Sequence, residues 1–359
     1  MAEHSTIEWT DATWNPITGC SIVSPGCTNC YAMGLAGTRL KHHPSRAGLT
    51  VDTKAGPVWN GQVRLNGEWL TQPIEWKRPR RVFVCAHGDL FAESVPDSWI
   101  DRVFAVMALA PHHAFQVLTK RSARMRAYLS DPETPARVAL LRVLASGKPG
   151  EPTPVYVQVN VHSEQRRWPL PNVWLGVSAE DQRRANERLP DLLATPAAVR
   201  FVSAEPLLGP IDFTAIPDPD TGSAEPWPHA VDALTGDVSD DANGIIDGVY
   251  EPGQAPKLNW IIVGGESGPG ARPMHPTWAR SIREQCEAAD VAFHFKQWGA
   301  WHPWGQPLAD GSVNLRSFGK DPEHYRHLPG QEIVSRVGKK AAGRLLDGVE
   351  HNGMPESAR

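Results

Sequence analysis

The chain has 359 residues, of which 41% are hydrophobic, and its formal net charge is −4. It has no apolar run long enough to cross a bilayer and no basic segment followed by an apolar one at its N-terminus, so we expect neither a transmembrane helix nor a secretory signal. The slightly negative charge does not by itself indicate nucleic-acid binding. The cysteine count of five is odd and three of the cysteines cluster, which favours metal binding in a reducing cytoplasm over a disulfide framework.

In chain order, the first distinctive segment is a loop rich in Pro and Gly that contains Cys20, Cys27 and Cys30. Three thiolates so close in sequence can converge on one soft metal centre. A closed zinc site needs a fourth ligand, for which His42 and His43 are the nearest candidates. An iron–sulfur cluster held by three thiolates instead leaves one iron open for an exogenous ligand. The spacing allows both sites, and the position of the loop ahead of the strand–helix units favours the cluster.

Six short apolar runs follow, and each predicts a strand of a parallel sheet that is covered on both faces. They are residues 81–86, 115–119, 173–178, 199–203, 260–264 and 291–295. Segments between several of these runs have helical periodicity. They are residues 97–110, 121–129, 181–193 and 276–289. Strands that alternate with helices predict an α/β fold made of right-handed crossover units.

Two insertions and a C-terminal extension interrupt or follow this pattern, within what we predict to be a single domain spanning 1–359. The first insertion, at about 131–171, is rich in Pro and contains a candidate strand at 154–161. The second, at about 211–257, has ten acidic and no basic residues over 211–252, so we expect a solvated surface loop. The extension, at about 300–359, contains a short basic helix within 338–348.

Polar residues lie at the end of every predicted strand. They are His87 and Asp89, Lys120 and Arg121, Ser178 and Glu180, Glu205, Glu266, and Lys296 and Gln297. In barrel-type α/β folds, the chemistry gathers at the carboxyl ends of the strands. Six such strand ends in succession therefore predict an active face. The glycines at 264 and 265 allow either a tight turn or a ligand-binding turn.

The cysteine loop resembles that of radical S-adenosylmethionine (radical SAM) enzymes, most closely the branch that contains spore photoproduct lyase. The matching residues are Asn15-Pro16, Gly19-Cys20, Cys27 and Cys30-Tyr31-Ala32. The wider chain is similar to an uncharacterised group of radical-SAM-like proteins encoded by phages and bacteria. The motifs shared with that group lie at residues 7–16, 88–91, 118–121, 203–207, 264–268 and 295–299. One departure is that six residues separate Cys20 from Cys27, where the commonest radical SAM motif has three.

This resemblance implies a partial (β/α) barrel of the radical SAM type with about six or seven parallel strands. It implies that Cys20, Cys27 and Cys30 hold a [4Fe-4S] cluster and that S-adenosylmethionine binds the open iron of that cluster. It also implies that a one-electron reductant such as flavodoxin or ferredoxin drives formation of a 5′-deoxyadenosyl radical. The implied cofactor-binding residues are Tyr31 near the adenine, His87 and Asp89 at the methionyl amine, and Ser178 and Glu180 at the ribose or methionyl groups. The implied substrate or catalytic residues are Lys120, Arg121, Glu205, Glu266, Lys296 and Gln297.

Basic residues beside tryptophans favour a nucleic-acid substrate, because cations contact phosphates and indoles stack on bases. The basic residues lie at 77–81 and at 120, 121, 124 and 126, and the tryptophans at 59, 69, 76, 298, 301 and 304. Together with the resemblance, these residues point to hydrogen abstraction from a nucleic-acid base, such as a modified thymine. The base would be flipped out of a duplex or presented in a single strand. The expected role is DNA modification or repair-like chemistry in the cytoplasm. Two alternatives remain open: a non-catalytic zinc or iron–sulfur module that binds nucleic acid, and a radical SAM enzyme that acts on a small metabolite or peptide.

Overall fold

The computed structural model describes residues 5–146, 168–218, 230–239, 255–315 and 325–356. Seven parallel strands form one sheet that curls into a half-barrel, and their order in the sheet is their order in the chain. They are β1 (Ala12–Trp14), β2 (Arg81–Val84), β3 (Ala114–Thr119), β4 (Val173–Ser178), β5 (Val199–Ala204), β6 (Trp260–Gly264) and β7 (Ala292–Gln297). The predicted α/β fold with a partial barrel is therefore confirmed. Because the strands are parallel and adjacent, all their carboxyl ends lie along one edge.

Helices connect these strands and cover the convex face of the sheet. They are α2 (Asp97–Leu109), α3 (Ser122–Ser130), α4 (Thr134–Ser146), α5 (Gln182–Ala194) and α6 (Pro276–Ala288), whereas the first helix, α1 (Tyr31–Gly37), packs against the hairpin of Thr50–Thr53 and Gly56–Trp59. The six predicted strands and four predicted helices end within two residues of the observed bounds. Strand β1 was not predicted, because three residues are too few to establish a periodic pattern.

Two apolar layers hold the half-barrel together, because successive strand residues face opposite sides of the sheet. The convex layer packs the sheet against the helices. The concave layer is aromatic and contains Trp174, Phe201 and Trp260 from the strands. Trp9, from the segment before β1, lies among them, with ring centroids 4.8 Å from Phe83 and 6.0 Å from Trp260. Burial of each such ring contributes roughly 2–3 kcal/mol, so the interior of the half-barrel is a packed core below its carboxyl edge.

The two insertions are more structured than their compositions indicated. Helix α4 occupies the start of the first insertion and buries Val138 and Ala139, while the candidate strand at 154–161 lies outside the described residues. The described flanks of the second insertion bury Phe213 and Leu234 and form a three-stranded antiparallel sheet. Its strands are Ile216–Pro217, Ala230–Val231 and Val238–Ser239. These flanks are part of the core rather than the expected surface loop, because their apolar side chains are buried even though the segment is acidic.

Small elements complete the chain. They are the strands Ile17–Thr18, Thr50–Thr53, Gly56–Trp59, Arg64–Leu65, Trp301–Pro303, Tyr325–His327, Ile333–Arg336, Leu345–Leu346 and Val349–Glu350 and the helices Gln72–Glu75 and Lys339–Ala342. The last of these is the predicted basic helix, and it is short because Gly343 leaves the helical region with φ +66°. Across the described ranges, no helix combines the length and apolar character needed to cross a membrane.

Candidate active site

A cavity of about 690 Å³ lies at the carboxyl edge of the half-barrel. Its wall is built from the loop after β1 and from the ends of β2 to β7. Thirteen residues of the predicted site line it, namely Cys20, Cys27, Cys30, Tyr31, His87, Asp89, Lys120, Arg121, Ser178, Glu205, Glu266, Lys296 and Gln297. Of the predicted residues only Glu180 is not part of the wall. The structure thus brings the cysteine loop and all six predicted strand ends to one place.

The cysteine loop leaves β1 and returns into helix α1. A short 3-10 turn, Pro25–Cys27, contains the second cysteine, and Cys30 is the residue that precedes α1. The turn is closed by the Cys27 amide, which donates to Ser24 O at 2.9 Å. Cys27 is buried, whereas Cys20 and Cys30 are half-buried. The loop therefore presents three thiols of unequal exposure to one cavity.

Arg121 lies directly behind Cys20. Its Nη1 donates to Cys20 Sγ at 3.3 Å and to Asp89 Oδ2 at 3.2 Å. Its Nη2 donates to the carbonyl oxygen of Ser21 at 2.9 Å and to the Ser21 hydroxyl at 2.5 Å, and its Nε donates to Glu93. Burial, to which Asp89 adds and which Arg121 opposes, raises the pKa of the Cys20 thiol to about 12. The metal-free loop therefore holds Cys20 as a neutral thiol.

Asp89 is committed to the protein rather than to a ligand. Its Oδ1 accepts from the Phe91 amide at 2.9 Å and from the Thr119 hydroxyl at 2.7 Å. Its Oδ2 accepts from the Lys120 amide at 3.1 Å and from Arg121. A carboxylate has about four acceptor sites, so these donors satisfy it. In this conformation Asp89 orients Arg121.

Glu180 lies behind the cavity wall with a fully buried side chain. It accepts from the Ser24 hydroxyl at 2.5 Å, from Lys120 Nζ at 2.5 Å and from Arg188 at 2.9 Å. Burial alone would raise the pKa of Glu180, but the charges of Lys120 and Arg188 hold it below its usual value. Glu180 therefore joins the end of β4 to the cysteine loop.

Glu266, after β6, also binds the cysteine loop. Asn29 donates to Glu266 Oε2 and to the carbonyl oxygen of Gly270, both at 3.0 Å. Arg272 forms two bonds to the same carboxylate, at 2.9 Å and 2.7 Å, and donates to Pro25 O at 3.0 Å. Burial would raise the pKa of Glu266, whereas the bonds from Arg272 and Asn29 lower it. Sequence reasoning missed Asn29 and Arg272, although Asn29 sits inside the cysteine motif.

Tyr31 and His87 form an aromatic corner of the cavity. The Tyr31 ring is exposed, while its hydroxyl donates to the carbonyl oxygen of Ala86 at 2.7 Å. The His87 ring lies edge-on to it at 5.7 Å. Burial, with a smaller effect of Arg46, lowers the pKa of His87 to about 4, so its imidazole is neutral at pH 7. Its Nδ1 has no hydrogen-bond partner among the described residues.

The opposite part of the wall retains capacity for a ligand. Lys296 Nζ lies 3.1 Å from Glu205 Oε1, and both side chains keep some exposure. Gln297 donates to Gly265 O at 3.3 Å, but its Oε1 has no partner among the described residues. Glu8 also lines the cavity with an unpartnered, buried Oε2. Glu8 was not predicted as a site residue, although it lies within the shared motif at residues 7–16.

The described side chains form no ready-made site for a single metal ion. A tetrahedral ion with metal–sulfur bonds of about 2.3 Å needs its sulfurs about 3.8 Å apart. No group of three or more His, Cys, Asp or Glu side chains that could hold one metal ion occurs in the described part of the chain. His42 and His43 do not line the cavity, and His43 Nδ1 is 2.7 Å from the Ser45 hydroxyl. Neither histidine therefore completes the alternative zinc site.

The basic and aromatic residues that suggested nucleic acid are mostly engaged elsewhere. Several of them form ion pairs, namely Arg81 with Asp11 at 2.7 Å, Arg124 with Asp97 at 2.8 Å and Arg126 with Asp191 at 3.7 Å. Arg81 begins β2, so it lies at the edge of the sheet opposite the cavity. Of the six tryptophans considered, Trp59 lines the cavity.

Comparison with known proteins gives one match. The model of a family described as "Protein of unknown function (DUF5131)" matches residues 4–355, which is nearly the whole chain. No curated protein and no solved structure matches it.

Proposed function

We propose that this chain, which belongs to the DUF5131 family, is a radical SAM enzyme that acts on a nucleic-acid base. One observation carries the proposal: three thiols of a single loop line the same cavity as the polar ends of six parallel strands. A parallel half-barrel gathers its chemistry at this edge. Three thiols without a fourth protein ligand match a cluster that keeps one iron open.

In this proposal Cys20, Cys27 and Cys30 hold a [4Fe-4S] cluster. The bound cluster would supply electrons from a flavodoxin- or ferredoxin-type donor for reductive cleavage of S-adenosylmethionine. The protein's part is to fix the loop and to exclude water. Three strand ends contact the loop through Arg121, Glu180 and Glu266, and these contacts hold the loop in the metal-free protein.

The free side chains of the cavity suit a polar, partly aromatic ligand. Tyr31 offers an exposed ring for stacking. Glu205, Lys296 and Gln297 offer acceptors and a donor on the other side. Lys339 also lines the cavity and would face a phosphate. On these grounds we propose a nucleic-acid base as the substrate. The ion-paired arginines outside the cavity are not part of this argument.

Anaerobic reconstitution with iron and sulfide tests the enzyme. We expect about four irons per chain and formation of 5′-deoxyadenosine when S-adenosylmethionine and dithionite are added. Cys20→Ala, Cys27→Ala and Cys30→Ala should each abolish both. Cys286→Ala is the matched control, because this thiol is buried in α6 away from the cavity. Stoichiometric zinc without cleavage of S-adenosylmethionine would refute the proposal.

The same preparation tests the substrate class. Binding of a single-stranded oligonucleotide should weaken with salt, with a slope of about −0.7 in log–log form for each phosphate contact. Lys339→Gln should reduce that slope. An oligonucleotide affinity that does not change with salt, in an enzyme that still cleaves S-adenosylmethionine, would favour a small metabolite or peptide as substrate.

A further inference from the structure

The three thiols of the loop differ in their surroundings. Cys20 Sγ accepts a hydrogen bond from the Arg121 guanidinium at 3.3 Å. Cys27 Sγ lies 3.8 Å from the Ser24 hydroxyl, which is neutral. Among the described residues, no cationic group donates to Cys27 or Cys30. The site is therefore electrostatically asymmetric, with its one positive contact at Cys20.

The position of Arg121 is fixed on every side. Its side chain is 5% exposed, and its amide donates to the Thr119 hydroxyl, which in turn donates to Asp89. A guanidinium has five N–H donors. Here they are directed to Cys20, Asp89, Glu93 and both oxygens of Ser21. No donor is left for a substrate, so the role expected from the sequence, substrate binding or catalysis, does not suit this geometry.

We propose that Arg121 is a positioning residue that holds Cys20 and raises the reduction potential of the cluster. The inference rests on the proposed function, since it concerns the cluster that the three cysteines would hold. One-electron reduction adds one negative charge to a cluster without forming or breaking a bond to Arg121. A buried cation and an N–H donor at a ligating sulfur stabilise that added charge. Hydrogen bonding to sulfur and burial are general determinants of cluster potential.

The test is a redox titration of the reconstituted protein, followed by electron paramagnetic resonance. Arg121→Gln removes the charge and most of the donors. We expect the midpoint potential to fall by about 59 mV. For a one-electron couple this shift makes the ratio of reduced to oxidised cluster about tenfold smaller at a fixed potential. Arg126→Gln is the matched control: it removes the same charge from α3, the helix that Arg121 immediately precedes, but Arg126 pairs with Asp191. Its midpoint should equal that of the unmodified protein.

Iron content separates failure of this inference from failure of the proposed function. If the unmodified protein assembles no cluster, the proposed function is wrong. If it assembles one and Arg121→Gln, with full iron content, keeps the same midpoint, the role of Arg121 is wrong. Should Arg121→Gln not load iron, Arg121→Lys is titrated instead. Lysine keeps the charge but has fewer donors, so a midpoint potential below that of the unmodified protein supports the inference and an unchanged one overturns it.

Discussion

Glu180 is a fully buried carboxylate whose partners come from three parts of the chain: Ser24 of the cysteine loop, Lys120 after β3 and Arg188 of α5. Removing one member of a buried charge network leaves the others unpaired, which typically costs about 3–5 kcal/mol. We expect Glu180→Gln to lower the free energy of unfolding by about 3 kcal/mol at pH 7. Denaturant unfolding of the metal-free protein measures this loss.

The acid dependence of the same variant gives a second readout. The folded-state pKa of Glu180 is lowered from 4.5, so its contribution is fully present above that value and is lost as the pH falls through the lowered pKa. Relative to the unmodified protein, Glu180→Gln should therefore lose more free energy of unfolding at neutral pH than at acidic pH. Glu187→Gln, an exposed position on α5, should change little. Equal losses for the two variants at pH 7 would contradict the role assigned to the buried network.

Polar residues at the strand ends divide into two groups that look alike in the sequence. Asp89, Arg121 and Glu180 have their polar atoms bonded within the protein, whereas Glu205 and Gln297 face the cavity. The type and spacing of these residues predicted that they would gather at one edge. What could not be predicted was which of them bind the loop, because that depends on partners distant in sequence, such as Asn29 and Glu266, 237 residues apart.

At the scale of elements, β6 and β7 end with their backbones packed against each other. Gly265 donates to Gln297 O at 2.9 Å, and Ala300 donates to Glu266 O at 2.8 Å. A Cβ added at Gly265 would overlap the carbonyl oxygen of Trp298. The two turns predicted for this glycine pair, a tight turn and a ligand-binding turn, are compatible. Gly265 lines the cavity, and strand packing leaves no room for a side chain there.

We expect Gly265→Ala to destabilise the protein by about 3 kcal/mol, since backbone atoms cannot move aside as flexible side chains do. Thermal or denaturant unfolding measures it. Gly34→Ala is the matched control: this glycine lies in α1 with no atom within 4 Å of an added Cβ. There alanine should stabilise by up to about 1 kcal/mol, through helix propensity. The same sign of change at both positions would contradict the packing argument.

The elements show where sequence reasoning was sufficient. Strands β2 to β7 and helices α2, α3, α5 and α6 each have a long enough apolar or amphipathic pattern to be predicted. Strand β1 has three residues, and only its pairing with β2, Ala12 beside Val82, identifies it. Helix α4 was hidden by the surrounding Pro-rich composition. The cysteine loop gains its place at the carboxyl edge from β1, so the element that was missed is the one that positions the proposed cluster.

At the scale of the whole molecule, two histidines make folding depend on pH well above the carboxylate range. Burial lowers the pKa of both His87 and His294 from 6.5 to about 4. His294 is 2% exposed in the aromatic interior of the half-barrel, and neither ring nitrogen has a partner among the described residues. Between the unfolded value of 6.5 and the folded value of about 4, both histidines bind protons in the unfolded chain but not in the folded chain. The free energy of unfolding therefore falls as the pH falls through this range.

We expect the free energy of unfolding of the metal-free protein to decline from about pH 6.5 towards pH 4, with each neutral buried histidine contributing at most about 1.4 kcal/mol per pH unit. His294→Leu should remove its share and make the curve shallower, while His42→Leu, at an exposed position, should leave the curve unchanged. Denaturant unfolding at a series of pH values measures both slopes. Stability that stays constant from pH 8 to pH 5 would contradict the argument. A shallower curve for His294→Leu would support a neutral imidazole inside the half-barrel, where it contacts Trp260, so the aromatic floor below the proposed cluster would stay uncharged at pH 7.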